Sequence, residues 1–188
     1  KRLTKYYGNL GALVDLDLQI AEGDIYGFIG PNGAGKTTTI RILATLLQPT
    51  RGQAYINGVD VLREGKKVRR LVGYMPDFMG VYDDLKVFEY LEFFAAAFGI
   101  ERSKRKAVID GVLELTDLAG KRTTAVDNLS RGMQQRLGLA RVLIHDPKAL
   151  ILDEPTSGLD PRARIEMRVL LRELKQMGKT IMISSHIL

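Results

Sequence analysis

A short apolar run, Ile25-Tyr26-Gly27-Phe28-Ile29, empties into Gly30-Pro31-Asn32-Gly33-Ala34-Gly35-Lys36-Thr37, followed by Thr38. Beyond it Ile40, Leu43, Ala44 and Leu47 recur on one helical face, and Pro49 is expected to end that helix. Strand, glycine-rich loop and helix thus follow one another with the spacing glycine, four residues, Gly-Lys-Thr, the P-loop pattern. Each part has a physical reason. Glycines let backbone N–H groups curl around phosphate oxygens with no Cβ in the way. The helix that follows turns its positive end toward the same anion. Lys36 supplies a cation for terminal phosphates, and the Thr37 hydroxyl is a ligand suited to Mg²⁺. Chance alone would produce the pattern in roughly one chain in a hundred of this length.

The rest of the chain alternates between two periods. Val14, Leu16, Leu18 and Ile20 alternate with Asp15, Asp17 and Gln19, which predicts a half-buried strand. Asn57-Gly58, between Gln53–Ile56 and Val59–Leu62, predicts a hairpin, and Leu71–Tyr74 a strand. From Lys86 to His145 the period is helical. The last helix there is expected to open at Ser130, carry Met133, Leu137, Ala140 and Ile144 inward, and stop before Pro147. Ala149–Leu152 reads as a buried strand leading into Asp153-Glu154. Asp160 and Pro161 then open a helix to Gly178, with Ile165, Leu170, Leu174 and Met177 on one side. Thr180–Ile183 is a final strand, ending at Ser184-Ser185-His186. Strands apolar on both faces and alternating with helices predict an α/β fold with a mostly parallel sheet, the strand before the glycine loop and the Ala149–Leu152 strand both being central.

Composition narrows the function. Lys and Arg number 28 against 22 Asp and Glu, a formal charge of +6. The basic groups at Lys66, Lys67, Arg69 and Arg70, and at Arg102, Lys104, Arg105 and Lys106, have no interleaved aromatics of the kind that stack nucleic-acid bases. They read first as solvated helix faces, and direct nucleic-acid binding is not expected. Cysteine is absent, which removes disulfides and thiolate metal sites. No apolar run reaches the ~18 residues of a membrane span. The chain starts without a signal-peptide pattern and stops just after a strand, and it reads as trimmed at one or both ends.

Asp153 closes an apolar strand. In an open α/β sheet, ligands bind at the carboxyl ends of the strands, so Asp153 is placed to hold Mg²⁺ opposite the glycine loop. Glu154 follows directly and points elsewhere. That suits a base orienting water for attack on a γ-phosphate. An isolated Asp-Glu pair would otherwise read as a surface turn; the P-loop upstream favours catalysis.

Leu129-Ser-Arg-Gly-Met-Gln134, then Leu150-Ile-Leu-Asp-Glu-Pro-Thr-Ser-Gly-Leu-Asp160, resemble the signature motif, Walker B and D-loop of ABC ATPases. The resemblance runs in family order from Tyr7-Gly8 to His186. It implies a P-loop NTPase with an N-terminal antiparallel β subdomain and a helical signature subdomain, in one domain spanning 1–188: core and β subdomain over 1–85 and 146–188, helical subdomain over 86–145. It implies ATP binding by Tyr7, against the adenine, and by Pro31, Asn32, Gly33, Ala34, Gly35, Lys36, Thr37 and Thr38. Tyr6 competes for the adenine role. Ser130 and Gly132 correspond to residues that contact the γ-phosphate of ATP held by an opposite subunit. Mg²⁺ would be held by Thr37, Asp77 and Asp153, with Asp77 where the family normally has glutamine. Glu154 takes the role of base, with Lys36 and the switch histidine His186 completing the catalytic set. Arg131 and Met133 replace residues that are more often Gly and Gln.

Such an incomplete half-site implies a head-to-tail homodimer or heterodimer sandwiching two ATP molecules. The family resemblance further implies transmembrane permease partners and a place at the cytoplasmic face of the membrane, and Asp77, Arg131 and Met133 resemble ATPase subunits paired with exporter-type permeases, with export as the direction. Phe78, Met79, Tyr82 and Leu85 are expected to help form the groove that receives a permease helix, with packing inside the helical region as the alternative. The rival class is a soluble ABC ATPase acting on nucleic acid, ribosomes or cofactor assembly. The interval Gly80–Asn128 lacks the long heptad insertion of chromosome and repair members. A non-hydrolysing sensor is disfavoured by the intact Glu154.

Overall fold

A computed structural model describes residues 1–77, 80 and 84–186. Strands β1 (Leu3–Tyr7) and β2 (Leu10–Leu16) form an antiparallel pair, and β3 (Ile25–Ile29) leads through the glycine loop into helix α1 (Lys36–Leu43). A hairpin of β4 (Tyr55–Ile56) and β5 (Val59–Asp60) follows, then α2 (Gly65–Leu71) and β6 (Val72–Met75). Helices α3 (Val87–Ala97), α4 (Arg102–Leu115) and α5 (Arg131–Leu143) come next. Then β7 (Ala149–Asp153), α6 (Pro161–Gln176) and β8 (Thr180–Ser185) complete the order. By contact, the described chain divides into two compact units. One comprises Lys1–Tyr74, Pro147–Glu154 and Lys175–Leu188; the other comprises Met75–Asp146 and Pro155–Leu174.

The first unit is built on a sheet ordered β3-β8-β7-β6, in which β3 and β7 both run parallel to β8. The parallel sheet and the antiparallel β pairs agree with the sequence reading. The placement of β3 does not. Among the described residues it lies at the end of the sheet order, with Ile29 48% exposed, so only β7 of the two strands is central. An apolar run of five residues fits an edge and a centre equally well. Leu3, Leu13, Ile40, Ile42, Val68 and Val72 join Ile151 and Met182 in the core, and α1 packs on β2 and β7. The Asn57-Gly58 hairpin forms as expected, with both residues in the left-handed region (φ 48° and 76°) that a tight two-residue turn requires.

Helix α1 ends earlier than Pro49. Thr45 turns left-handed (φ 63°). Its N–H donates to the Ile42 carbonyl at 3.0 Å, and that of Leu46 donates to Arg41 at 2.8 Å. This is a Schellman stop with threonine in the position glycine usually takes.

In the second unit α3, α4 and α5 pack on one another. Tyr90 is wholly buried, and the Arg141 guanidinium donates to its hydroxyl at 3.3 Å. Arg105 pairs with Glu92 at 3.1 Å, and Arg136 with Asp117 at 2.8 Å. Ser130 caps α5, its hydroxyl accepting the Met133 N–H at 3.3 Å. Leu137, Ala140 and Ile144 are buried as the spacing requires. Asp160 accepts the Ala163 N–H at 2.9 Å and so caps α6. The buried stripe of α6 is Met167, Leu170, Leu171 and Leu174. Ile165 and Met177, expected on that face, are 61% and 59% exposed. The spacing of three and four about Met167 sets the face, and Ile165 lies off it.

Candidate active site

The glycine loop is shaped by positive-φ glycines. Gly33 and Gly35 both have φ 83°, but their surroundings differ. A Cβ on Gly33 would meet open space, whereas one on Gly35 would stand 2.5 Å from the Ala12 carbonyl oxygen. Pro31, Asn32, Gly33 and Ala34 are exposed, as is Thr37, while Thr38 is half-buried. Gly35 precedes α1 without any side-chain cap. The first N–H groups of the helix are therefore left for an anion.

Lys36 is held against its own loop. It is 8% exposed, and its ammonium donates to the carbonyls of Gly30 at 2.5 Å and Pro31 at 3.0 Å. The side chain therefore folds back over its own loop and fills the concavity with positive charge.

The carboxyl ends of β7 and β8 bring three predicted residues together. Asp153 is 4% exposed, and Ser184, its partner in the parallel register, is fully buried. The Ser184 hydroxyl donates to Asp153 Oδ1 at 2.5 Å and accepts the Glu154 N–H at 3.0 Å. Glu154 itself is left-handed (φ 51°), so the strand geometry ends at Asp153 and the chain turns sharply there. The Glu154 carboxylate reaches His186 Nδ1 at 2.9 Å, an ion pair when the imidazole is protonated. On the other side of β8, the Ser185 carbonyl accepts the Gly30 N–H at 3.3 Å. The end of β8 thus touches both the glycine loop and the acid pair.

Nearby, burial and the negative charge of Asp153 push the Tyr74 phenol above its ordinary 10.0, while Arg41, hydrogen-bonded to it, pulls the other way. Tyr74 and Arg41 were not singled out in the sequence. Neither was Ser184, for which the signal was its place near the end of the last apolar strand, two residues before His186.

At the tip of β1, Tyr7 is 48% exposed with the Lys5 ammonium 5.3 Å from its ring centre. The Tyr6 ring instead lies against Gly11, where a Cβ would come within 3.1 Å of it. Both tyrosines are exposed, Tyr6 at 41% and Tyr7 at 48%. Asp77, Ser130 and Gly132 belong to the second unit. There Asp77 and Ser130 are exposed, and Gly132 lies close to α6, a Cβ on it standing 3.1 Å from that of Ala163. Arg131 covers Gly158, whose positive φ and lack of a Cβ make room for the guanidinium. Of the segment expected to meet a permease, Phe78, Met79 and Tyr82 lie outside the described residues.

Oxygen donors suit Mg²⁺. Thr37 offers an exposed hydroxyl, and Asp153 a carboxylate with one oxygen already engaged. Among the described residues no group of three His, Cys, Asp or Glu could hold a metal alone. The ion would need phosphate oxygens as further ligands, as is usual for Mg²⁺.

The model of the ABC transporter family matches residues 13–157. A bacitracin transport ATP-binding protein, BcrA of Bacillus licheniformis, is 46% identical over 187 residues, 99% of this chain and 60% of that protein. A Nod factor export ATP-binding protein I of Cupriavidus pinatubonensis is 39% identical over 186 residues, 99% of this chain and 57% of that protein. The dimeric structure of a bacterial ABC transporter cassette, MJ0796, superposes with TM-score 0.87 at 28% identity, covering 100% of this chain and 87% of its own. The chain spans 57–60% of these two curated relatives.

Proposed function

This chain belongs to the ABC transporter family, and we propose that it binds and hydrolyses ATP to power export through a separate membrane permease. The observation that carries the reading is the end of β8. There one strand ties the glycine loop, through the Ser185 carbonyl, to Asp153 and Glu154, through Ser184 and His186.

In this reading the triphosphate lies in the glycine loop, with Pro31–Ala34 wrapping it and the α1 N–H groups facing its oxygens. Lys36 exchanges its two backbone carbonyl partners for phosphate oxygens, a stronger charge-assisted pairing. Thr37 and Asp153 would hold Mg²⁺. The ion supplies charge neutralisation at the phosphates. Glu154 accepts a proton from the attacking water, and His186, now its partner, is positioned to reach the γ-phosphate. Tyr7 stacks on the adenine.

Ser130 and Gly132, at the capped end of α5, complete the site of a second copy or of a related subunit. ATP thereby closes a head-to-tail dimer and hydrolysis releases it. The relative named for Nod factor export supports export as the direction, and the one named for bacitracin transport supports a transport role. Among the described residues no helix is long and apolar enough to cross a membrane. The relatives' names, ATP-binding proteins of transport and export, support a permease as a partner, with this chain at the cytoplasmic membrane face.

The test is Glu154→Gln in the full-length protein. ATP binding should persist while phosphate release falls by about a hundredfold or more, the scale of a lost general base, and ATP should trap a dimer on size exclusion. A variant that turns over like the parent refutes the assigned base. Stimulation of the parent by RNA rather than by permease-containing membranes refutes the export role.

A further inference from the structure

We propose that Ser184 is a positioning residue for hydrolysis. Its single hydroxyl holds the metal-side carboxylate and the backbone of the base in register with each other. The inference rests on the assignment of Asp153 and Glu154 given above.

Ser184 is fully buried at the end of β8, directly opposite Asp153 in the parallel register. A hydroxyl has one proton to give, and here it goes to Asp153 Oδ1 at 2.5 Å. The same oxygen accepts the Glu154 N–H at 3.0 Å. Two consequences follow. Asp153 is fixed in rotation, one oxygen engaged by serine and the other left for the ligand side. Glu154 is held in the left-handed conformation (φ 51°) that a residue with a Cβ otherwise avoids. From that backbone turn its carboxylate meets His186 Nδ1 at 2.9 Å.

Ser184, at the end of β8, and His186, just beyond it, both engage Glu154. One strand end therefore grips Glu154 twice, by its amide and by its carboxylate. Without the hydroxyl, the part-buried Glu154 N–H and a buried Asp153 carboxylate oxygen both lose their partner. Glu154 then becomes free to relax toward the extended region.

The test compares Ser184→Thr with Ser184→Val in the full-length protein. The two replacements share one shape, so any packing cost is common to both and only the hydroxyl differs. Threonine should keep kcat within about threefold of the parent, while valine should lower it by about tenfold or more. The KM for ATP should stay within about twofold in both, because the glycine loop is untouched. The valine variant should also need a higher Mg²⁺ concentration for half-maximal rate. A role in stability alone would lower melting temperature but leave kcat per folded molecule equal in the pair, and that result overturns the proposal, as does a threonine variant as slow as valine. If the parent itself neither binds nor hydrolyses ATP, the functional reading fails first, and the two failures are thereby separate.

Discussion

Gly33 and Gly35 allow the shape of the phosphate loop to be tested with a matched pair of substitutions. Both have φ 83°, so alanine at either position incurs the same left-handed penalty, about 1–2 kcal/mol. Only at Gly35 does the added Cβ meet an obstacle. It would stand 2.5 Å from the Ala12 carbonyl oxygen and 3.3 Å from Leu13 Cδ1. The carbonyl is backbone and cannot swing aside like a side chain, so β2 or the start of α1 must shift. Forced overpacking of that kind costs about 1–3 kcal/mol. Gly35→Ala should therefore destabilise by about 2–5 kcal/mol, and Gly33→Ala by only about 1–2 kcal/mol. Urea unfolding of the full-length protein, read by circular dichroism, gives both values from the shift in midpoint at constant slope. Nucleotide titration should add a second difference. Gly33→Ala narrows the exposed loop and weakens binding in a protein that still folds normally, whereas Gly35→Ala loses both together. Equal destabilisation by the two substitutions would refute the argument, because it would mean that the contact with Ala12 does not constrain the loop.

Lys36→Ala should weaken ATP binding by tenfold or more, the scale of one lost charge-assisted contact of about 1.5–3 kcal/mol. It should also loosen the empty loop, because the bonds to Gly30 and Pro31 go with it; isothermal titration checks the first effect and amide exchange at Gly33–Gly35 the second, and unchanged affinity would show that Lys36 does not reach the phosphates. Tyr74 yields a pH prediction with a definite sign. Its phenol titrates above 10.0 in the fold, so the folded state holds the proton more tightly than the unfolded chain. That contribution to stability is complete below the unfolded value and is lost as pH rises through the folded one. Tyr74→Phe should flatten the alkaline fall in stability, measured by denaturant midpoints across that range, and an identical pH profile would count against the buried phenol.

Local patterns in the sequence reached far into this protein. The glycine loop, the helical span between Lys86 and His145, the Asn57-Gly58 hairpin and the Ser130 and Asp160 caps all follow from residues close together in the chain. Their backbone angles and hydrogen bonds are set within a few positions, so neighbours suffice to specify them. What the sequence left open depends on partners distant in the chain. An apolar run of five residues does not say whether its strand is flanked on one side or two, so the place of β3 in the sheet order had to come from pairing with β8. The early end of α1 turned on Thr45 adopting a glycine-like conformation, which no side-chain pattern announces. The buried stripe of α6 was misread at Ile165 and Met177 because hydrophobicity alone does not fix which angle of a helix meets its neighbours. Asp153 and Glu154 were legible as an acid pair, yet both are held by Ser184, 31 and 30 residues away from them. A hydroxyl acquires that role only when parallel strands bring it into register. Chemistry carried by contiguous residues can be read from the chain, while the orientation of each reacting group is decided by contacts that exist only after the sheet has formed.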